Sequence, residues 1–248
     1  MLKTDVFYQG KEKTLYRTDN PDRLILEFRD EATAFEGRRT AQLSGKGAVN
    51  NQINALIMEQ LQRYGLPTHF QQHQSEQASV VKALTMLPIE CVIRNRATGS
   101  ICRRLGVPSD QLLQPATFEM FLKNDELGDP LINRHHIATF GWASQEQVDA
   151  MIEYCHLANR TLTALFDRAG IELVDFKLEF GVYQGALLLG DEFTPDSCRL
   201  RDKASGAKLD KDLFRQGDSG VVVAYRQVAE RLRQLLGPEN SEPADTAD

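Results

Sequence analysis

Apolar positions along the chain follow two rhythms. Val49, Ile53, Leu56, Ile57, Leu61 and Tyr64 recur at helical spacing, and Gly65 then Pro67 end the run, so a helix is predicted there. Ser144 reads as an N-cap ahead of a longer stripe, Val148, Met151, Ile152, Cys155, Leu162, Leu165, Phe166 and Ala169, closed by Gly170. A third stripe, Val221, Val222, Tyr225, Val228, Leu232 and Leu235, stops before Gly237 and Pro238. Such stripes are packing faces. Elsewhere the alternation is that of strands. Residues 5–9, 13–17 and 24–28 read as an antiparallel set turning at Gly10. Residues 79–84 and 88–95 read as two more, split by Met86-Leu87-Pro88. The clearest pair is LVDFKLEFG (173–181) with ALLLGDEF (186–193), joined near Gln184-Gly185. Helices scattered among hairpins predict an α+β fold and not a doubly wound parallel sheet. The expected division is a β-rich N-terminal lobe (1–84), a larger α+β lobe (85–237) and an acidic, disordered tail (238–248).

Composition narrows the function. The chain has 248 residues, and 42% hydrophobic content supplies a sizeable core. Lys plus Arg is 29 and Asp plus Glu is 35, a net charge of -6, which argues against non-specific nucleic-acid binding. No run of about 18 apolar residues is present, so no membrane span is expected. The N-terminus, MLKTDVFYQGKEK, lacks the apolar stretch of a signal peptide. Cys91, Cys102, Cys155 and Cys198 show no CxxC pairing and read as reduced thiols of a cytoplasmic protein.

The strongest chemical signal lies in 173–181. Asp175, Lys177 and Glu179 share one face of the predicted strand, while Val174, Phe176, Leu178 and Phe180 share the other. An acid–base–acid row is either a solvated face with cross-strand ion pairs or a site. Folding about residue 185 brings Asp191 opposite Glu179, and two close carboxylates repel unless a cation lies between them. Oxygen donors without a His/Cys cluster favour Mg²⁺ over zinc, and Mg²⁺ on so few carboxylates implies a nucleotide phosphate. A second cluster, Arg94-Asn95-Arg96-Ala97-Thr98-Gly99-Ser100 with Arg103 and Arg104, is either a solvated basic turn or a phosphate site built of arginine forks and a helix start. The Gly10-Lys11-Glu12-Lys13 turn could approach a phosphate, although it is not a P-loop. Lys123-Asn124-Asp125 is weaker, and the His135-His136 pair is uninformative. There is no nucleophilic triad and no dinucleotide fingerprint.

At these residues the chain resembles a known family. PIECVIRNRATGS (88–100) and LVDFKLEFG (173–181) are similar to the two signature segments of the SAICAR synthetases of purine biosynthesis. YQGKEKTLY (8–16), FLKNDELGDP (121–130), GDEFTPDSCRL (190–200) and DKDLFRQG (210–217) resemble that family too, in the same order, so the likeness spans about residues 7–236. The resemblance implies a two-lobed fold related to ATP-grasp and kinase-like architectures, with ATP between the lobes. It implies ATP-dependent joining of the carboxylate of an aminoimidazole ribonucleotide to the amine of L-aspartate, and a homodimer. Carried over by position, Lys11 and Lys13 match the phosphate hairpin, Lys82 and Leu84 the strand that meets adenine, and Glu179 and Asp191 the carboxylates of the Mg²⁺-nucleotide. Arg94, Ser100 and Arg199 match the ribonucleotide phosphate site. Asp175, Lys177 and Lys123 match positions near the reacting carboxylate and γ-phosphate; Arg215 lies in a matching segment without a role. The chain departs from the family's pattern at Thr33 and Glu36 (Thr-Ala-Phe-Glu-Gly where Ser-Ala-Phe-Asp-Gly is usual), at Arg134 and Arg201, and before Lys46. Those departures raise an alternative, a paralogue that joins a different amine or acid.

Overall fold

The computed structural model of the chain describes residues 1–35 and 37–237. Strands β1 (Lys3–Gln9), β2 (Lys13–Thr18) and β3 (Arg23–Phe28) follow one another as antiparallel hairpins. The first turn closes with Gly10 N–H donating to the Lys13 carbonyl at 2.9 Å. A small hairpin, β4 (Glu31–Ala34) and β5 (Arg39–Gln42), leads into helix α1 (Lys46–Arg63). Strands β6 (Phe70–His73) and β7 (Ala78–Lys82) then return to the first sheet, whose order is β1-β2-β3-β7-β6. Alternation puts Leu24, Leu26, Phe28 and Val81 into a small core of their own.

A second sheet contains β8 (Thr85–Arg96), β9 (Leu112–Leu122), β10 (Leu131–Ile132), β11 (Ile171–Tyr183), β12 (Ala186–Gly190) and β13 (Cys198–Asp202). Its axis is β11. One edge of β11 pairs with β8; the other is shared, with β13 along Ile171–Phe176 and β12 along Glu179–Tyr183. Helices α2 (Ser100–Leu105), α3 (Arg134–Phe140), α4 (Gln145–Arg168), α5 (Asp212–Gln216) and α6 (Val221–Leu236) complete the chain. Ser144 caps α4 in a reciprocal box: Gln147 N–H donates to Ser144 Oγ at 3.2 Å, and Gln147 Oε1 accepts from Ser144 N–H at 2.8 Å. The three sequence stripes face one another. Ile53, Ile57 and Leu61 of α1, Met151, Cys155 and Leu162 of α4, and Tyr225, Val228 and Leu232 of α6 join Ile93, Leu173, Phe176 and Leu178 in one continuous core. Burying these side chains contributes about 1.5–3 kcal/mol each.

The α+β reading holds, with one correction. Residues 88–95 do not start a strand after a break at Met86-Leu87-Pro88. β8 runs through those residues from Thr85, and the chain leaves sheet pairing instead at Ala83-Leu84. Pro88 is tolerated because the β8–β11 register shifts between Glu179 and Gly181, so that no ladder donor is required of it. The polar face of 173–181 is not solvated: Asp175 is 3% and Glu179 2% exposed. The acidic tail at 238–248 lies outside the described residues.

Candidate active site

The link between the sheets crosses the β11–β12 hairpin at contact distance. A Cβ at Gly181 would stand 2.8 Å from Leu84 Cβ and 3.0 Å from the Thr85 carbonyl oxygen, so that position excludes a side chain, while one at Gly190 would press on Met86 Sδ at 2.9 Å. Above that crossing opens a cleft of about 1140 Å³. Leu15, Leu24, Leu26 and Val81 from the first sheet, with Leu84 of the link and Met86 and Leu87 at the start of β8, make its apolar half. Lys11, Lys13, Glu90, Lys123, Lys177, Glu179, Asp191 and Glu192 make its polar half. An apolar half beside a charged one suits a base joined to phosphates.

Alternation along β11 orders the polar groups. Glu179 stands opposite Gly190 on one side and Glu90 on the other, which brings Asp191 beside it just past the end of β12. Asp191 has φ 58°, in the left-handed region that Asp tolerates better than most residues. Lysines meet this acidic level from three elements. Lys123 pairs with Glu179, Lys13 pairs with Asp191 and lies 3.0 Å from Glu192, and Lys177 lies 2.9 Å from Glu90 and 3.5 Å from Glu179. Burial would raise the Glu179 pKa, but Lys177, Lys123 and Lys13 hold it below the usual carboxylate value. Burial would lower that of Lys177, but Glu90 and Glu179 hold it above its ordinary value, so it stays an ammonium.

Four residues back along β11 the chemistry changes. Asp175 faces Arg94 on β8 and Arg199 on β13. Its Oδ2 accepts from Arg94 at 2.8 Å, Arg199 at 2.7 Å and Thr98 Oγ1 at 2.7 Å. Glu119 holds Arg94 Nε at 2.8 Å, and Asp212 holds Arg199 Nε at 3.2 Å. Arg94 Nη2 reaches Ser100 Oγ at 3.3 Å at the start of α2. At roughly 3.3 Å per residue, the two levels are about 13 Å apart, with Lys177 between them.

The residues expected at the site therefore gather at two places. Lys11, Lys13, Lys82, Leu84, Lys123, Lys177, Glu179 and Asp191 line the cleft. Arg94, Ser100 and Arg199 group at the second level. Asp175, expected near the reacting carboxylate, braces the two arginines. Arg215 pairs with Asp212 at 2.5 Å.

A sequence profile of the SAICAR synthetase family matches residues 6–232. The chain belongs to the SAICAR synthetase family. Phosphoribosylaminoimidazole-succinocarboxamide synthase of Idiomarina loihiensis is 54% identical over 236 residues, covering 95% of this chain and 100% of that protein. The crystal structure of the synthase from Ehrlichia chaffeensis superimposes with a TM-score of 0.89 at 38% identity, over 92% of this chain and 98% of that one. A SAICAR synthetase solved in complex with ADP gives 0.87 at 39% identity, over 92% and 97%.

Two departures from the family's pattern lie away from the cleft lining. Arg134 pairs with Asp149 at 2.6 Å on an exposed surface, and Arg201 pairs with Asp110. Thr33 donates its N–H to Glu12 at 3.2 Å, and Glu36 lies outside the described residues. Sequence reasoning missed Glu90, Glu119 and Glu192. Glu90 was findable, because it shares a strand face with Arg94 in PIECVIRN; Glu119 had no such signal, since Pro115 and mixed polarity blur β9.

Proposed function

We propose that this SAICAR synthetase-family chain is an ATP-dependent ligase joining the carboxylate of carboxyaminoimidazole ribonucleotide to the amine of L-aspartate, with release of ADP and phosphate. The observation that carries the reading is β11, which sets a lysine–carboxylate level in the cleft and an arginine level four residues away, with Lys177 between. The cleft's apolar half suits adenine, with Lys82 and Leu84 at its edge, and the ADP held by a solved relative supports the nucleotide assignment. Arg94, Arg199 and Ser100 suit the ribonucleotide's phosphate. The proposal divides the lobes at 84/85 and includes a homodimer, which sedimentation tests, and a cytoplasmic location. No helix among the described residues is long and apolar enough to cross a membrane.

A carboxylate is a poor acyl donor. Transfer of the γ-phosphoryl group to it gives an acyl phosphate, from which the aspartate amine displaces phosphate. Positioning and charge neutralisation carry such chemistry, and no protein nucleophile is required. Lys177 and Lys123 stand where negative charge gathers, and Lys11 and Lys13 approach from the N-terminal lobe. Mg²⁺ fits Glu179 and Asp191. The donors are all oxygens, and nucleotide phosphates would supply the remaining ligands. Bound there, the ion neutralises phosphate oxygens.

The test is ADP release with the ribonucleotide and each amine in turn, with mass spectrometry of the product. Aspartate should give the succinocarboxamide, and alanine should be rejected by a site built to pair a second carboxylate. No product from aspartate, with turnover of another acid–amine pair, overturns the reading in favour of the paralogue.

A further inference from the structure

Beside the cleft lies a buried charge cluster that the chemistry above does not use. Lys46, in the first turn of α1, is fully buried. Its Nζ lies 3.0 Å from Glu12 Oε2, 2.7 Å from Asp196 Oδ2 and 3.1 Å from the Glu31 carbonyl oxygen, one acceptor for each ammonium proton. Glu12 also accepts from Lys211 and from Thr33 N–H. Asp196 also accepts from Asn50 Nδ2 and from Tyr225 O–H, both at 2.7 Å. Burial and the nearby Asp196 push Glu12 up to about 7 against the pull of Lys46 and Lys211.

The cluster's place in the chain gives it a consequence. Glu12 sits between Lys11 and Lys13 in the β1–β2 turn; Asp196 follows Asp191 and Glu192 in the loop after β12. A second link joins the same two segments, Lys13 to Asp191 and Glu192. A nucleotide phosphate arriving at Lys13 competes with Asp191 for that ammonium, so this link is given up on binding. Glu12 and Asp196 reach the cleft lining, but Lys46 is fully buried behind them and is not itself a lining residue.

We propose that Lys46, bridging Glu12 and Asp196, is a positioning residue for nucleotide binding: it pins the β1–β2 turn to the Asp191 loop while Lys13 exchanges Asp191 for phosphate. The inference rests on the cleft being the nucleotide site. Without the pin, the turn leaves its register and only a fraction of molecules stay competent to bind. If about one in ten does, the apparent ADP affinity falls about tenfold.

The experiment is calorimetric titration of the full-length protein with ADP at fixed magnesium chloride, well below the melting temperature, with thermal melts alongside. Lys46→Met should bind ADP about tenfold more weakly. Adding Glu12→Gln to Lys46→Met should restore affinity to within about threefold, because the new amide can donate to Asp196 where the ammonium did. Tyr225→Phe keeps every charge and removes one bond to Asp196; it covers the case in which Lys46→Met does not fold, and should weaken ADP about threefold. Folded variants that melt earlier yet bind ADP as the wild type does would overturn the pin and leave only a structural role. A wild-type protein that does not bind ADP would overturn the cleft assignment instead.

Discussion

The two ends of β11 handle anions differently. At the Glu179 end, lysines from three elements meet carboxylates in a cleft open to ligand, and Lys177 touches two carboxylates at once. At the Asp175 end, planar guanidinium forks are locked by carboxylates on both sides, and Arg94 is only 5% exposed. A lysine is a rotatable point charge that can change partner; an arginine fork held at Nε and Nη keeps one orientation. The first end can exchange partners, and the second is fixed in place.

The comparison breaks most directly at Asp175. Asp175→Ala leaves Arg94 and Arg199 without their shared acceptor and should cost about 3–5 kcal/mol in denaturant melts. ADP affinity of the folded variant should be unchanged; a parallel loss would show that the two ends are not separate. At the other end, Lys177→Met should reduce turnover by about 10²–10³-fold, or 2.7–4 kcal/mol. Its melting should change less than that of Asp175→Ala, and the reverse order would undo the contrast between exchangeable and locked charges.

His69 sharpens the difference through pH. Burial, with Lys13 and Lys82 nearby, lowers its pKa to about 4 from 6.5, against one hydrogen bond to the Leu189 carbonyl. The unfolded chain therefore binds the extra proton between those values, and stability is lost as pH falls from 6.5 towards 4. That depression corresponds to about 3 kcal/mol. Equilibrium unfolding at both pH values should show a loss smaller by about that amount in His69→Gln. Equal losses in the two proteins would remove His69 as a source of pH sensitivity. The smallest expected effect is that of Arg199→Ala, which should raise the ribonucleotide KM by the equivalent of about 1.5–3 kcal/mol. The ATP KM should stay put, and a shift in it would put Arg199 at the wrong end.

Much of this was legible in sequence because β11 obeys a two-residue period. Asp175, Lys177 and Glu179 could be assigned to one face, and the Gln184-Gly185 turn set Asp191 beside Glu179. The period does not say whether a polar face meets water or other charges, which is why the burial of Asp175 and Glu179 came only with the fold. Long-range pairings were equally hidden. Lys46, Glu12 and Asp196 are far apart in the chain, and a lone lysine opening a helix reads as surface. Asp175 matches, through the family resemblance, a position near the reacting carboxylate, and its own strand gives no sign of the arginines that β8 and β13 bring to it from opposite sides. Pro88 misled in another way, since its meaning depends on a bulge that only the partner strand reveals.

The shared edge of β11 bears on how the family can vary in length. Because β12 and β13 each clamp half of that edge while β8 runs along the other, the interval between Asp175 and Glu179 comes in fixed quanta. One inserted residue would reverse every side chain beyond it, and two would restore the faces but add about 6–7 Å to the span. Neither is a small adjustment. Changes in chain length are therefore confined to the connections outside this strand, and a substrate of different length must be met by altering side chains rather than the spacing between the two levels.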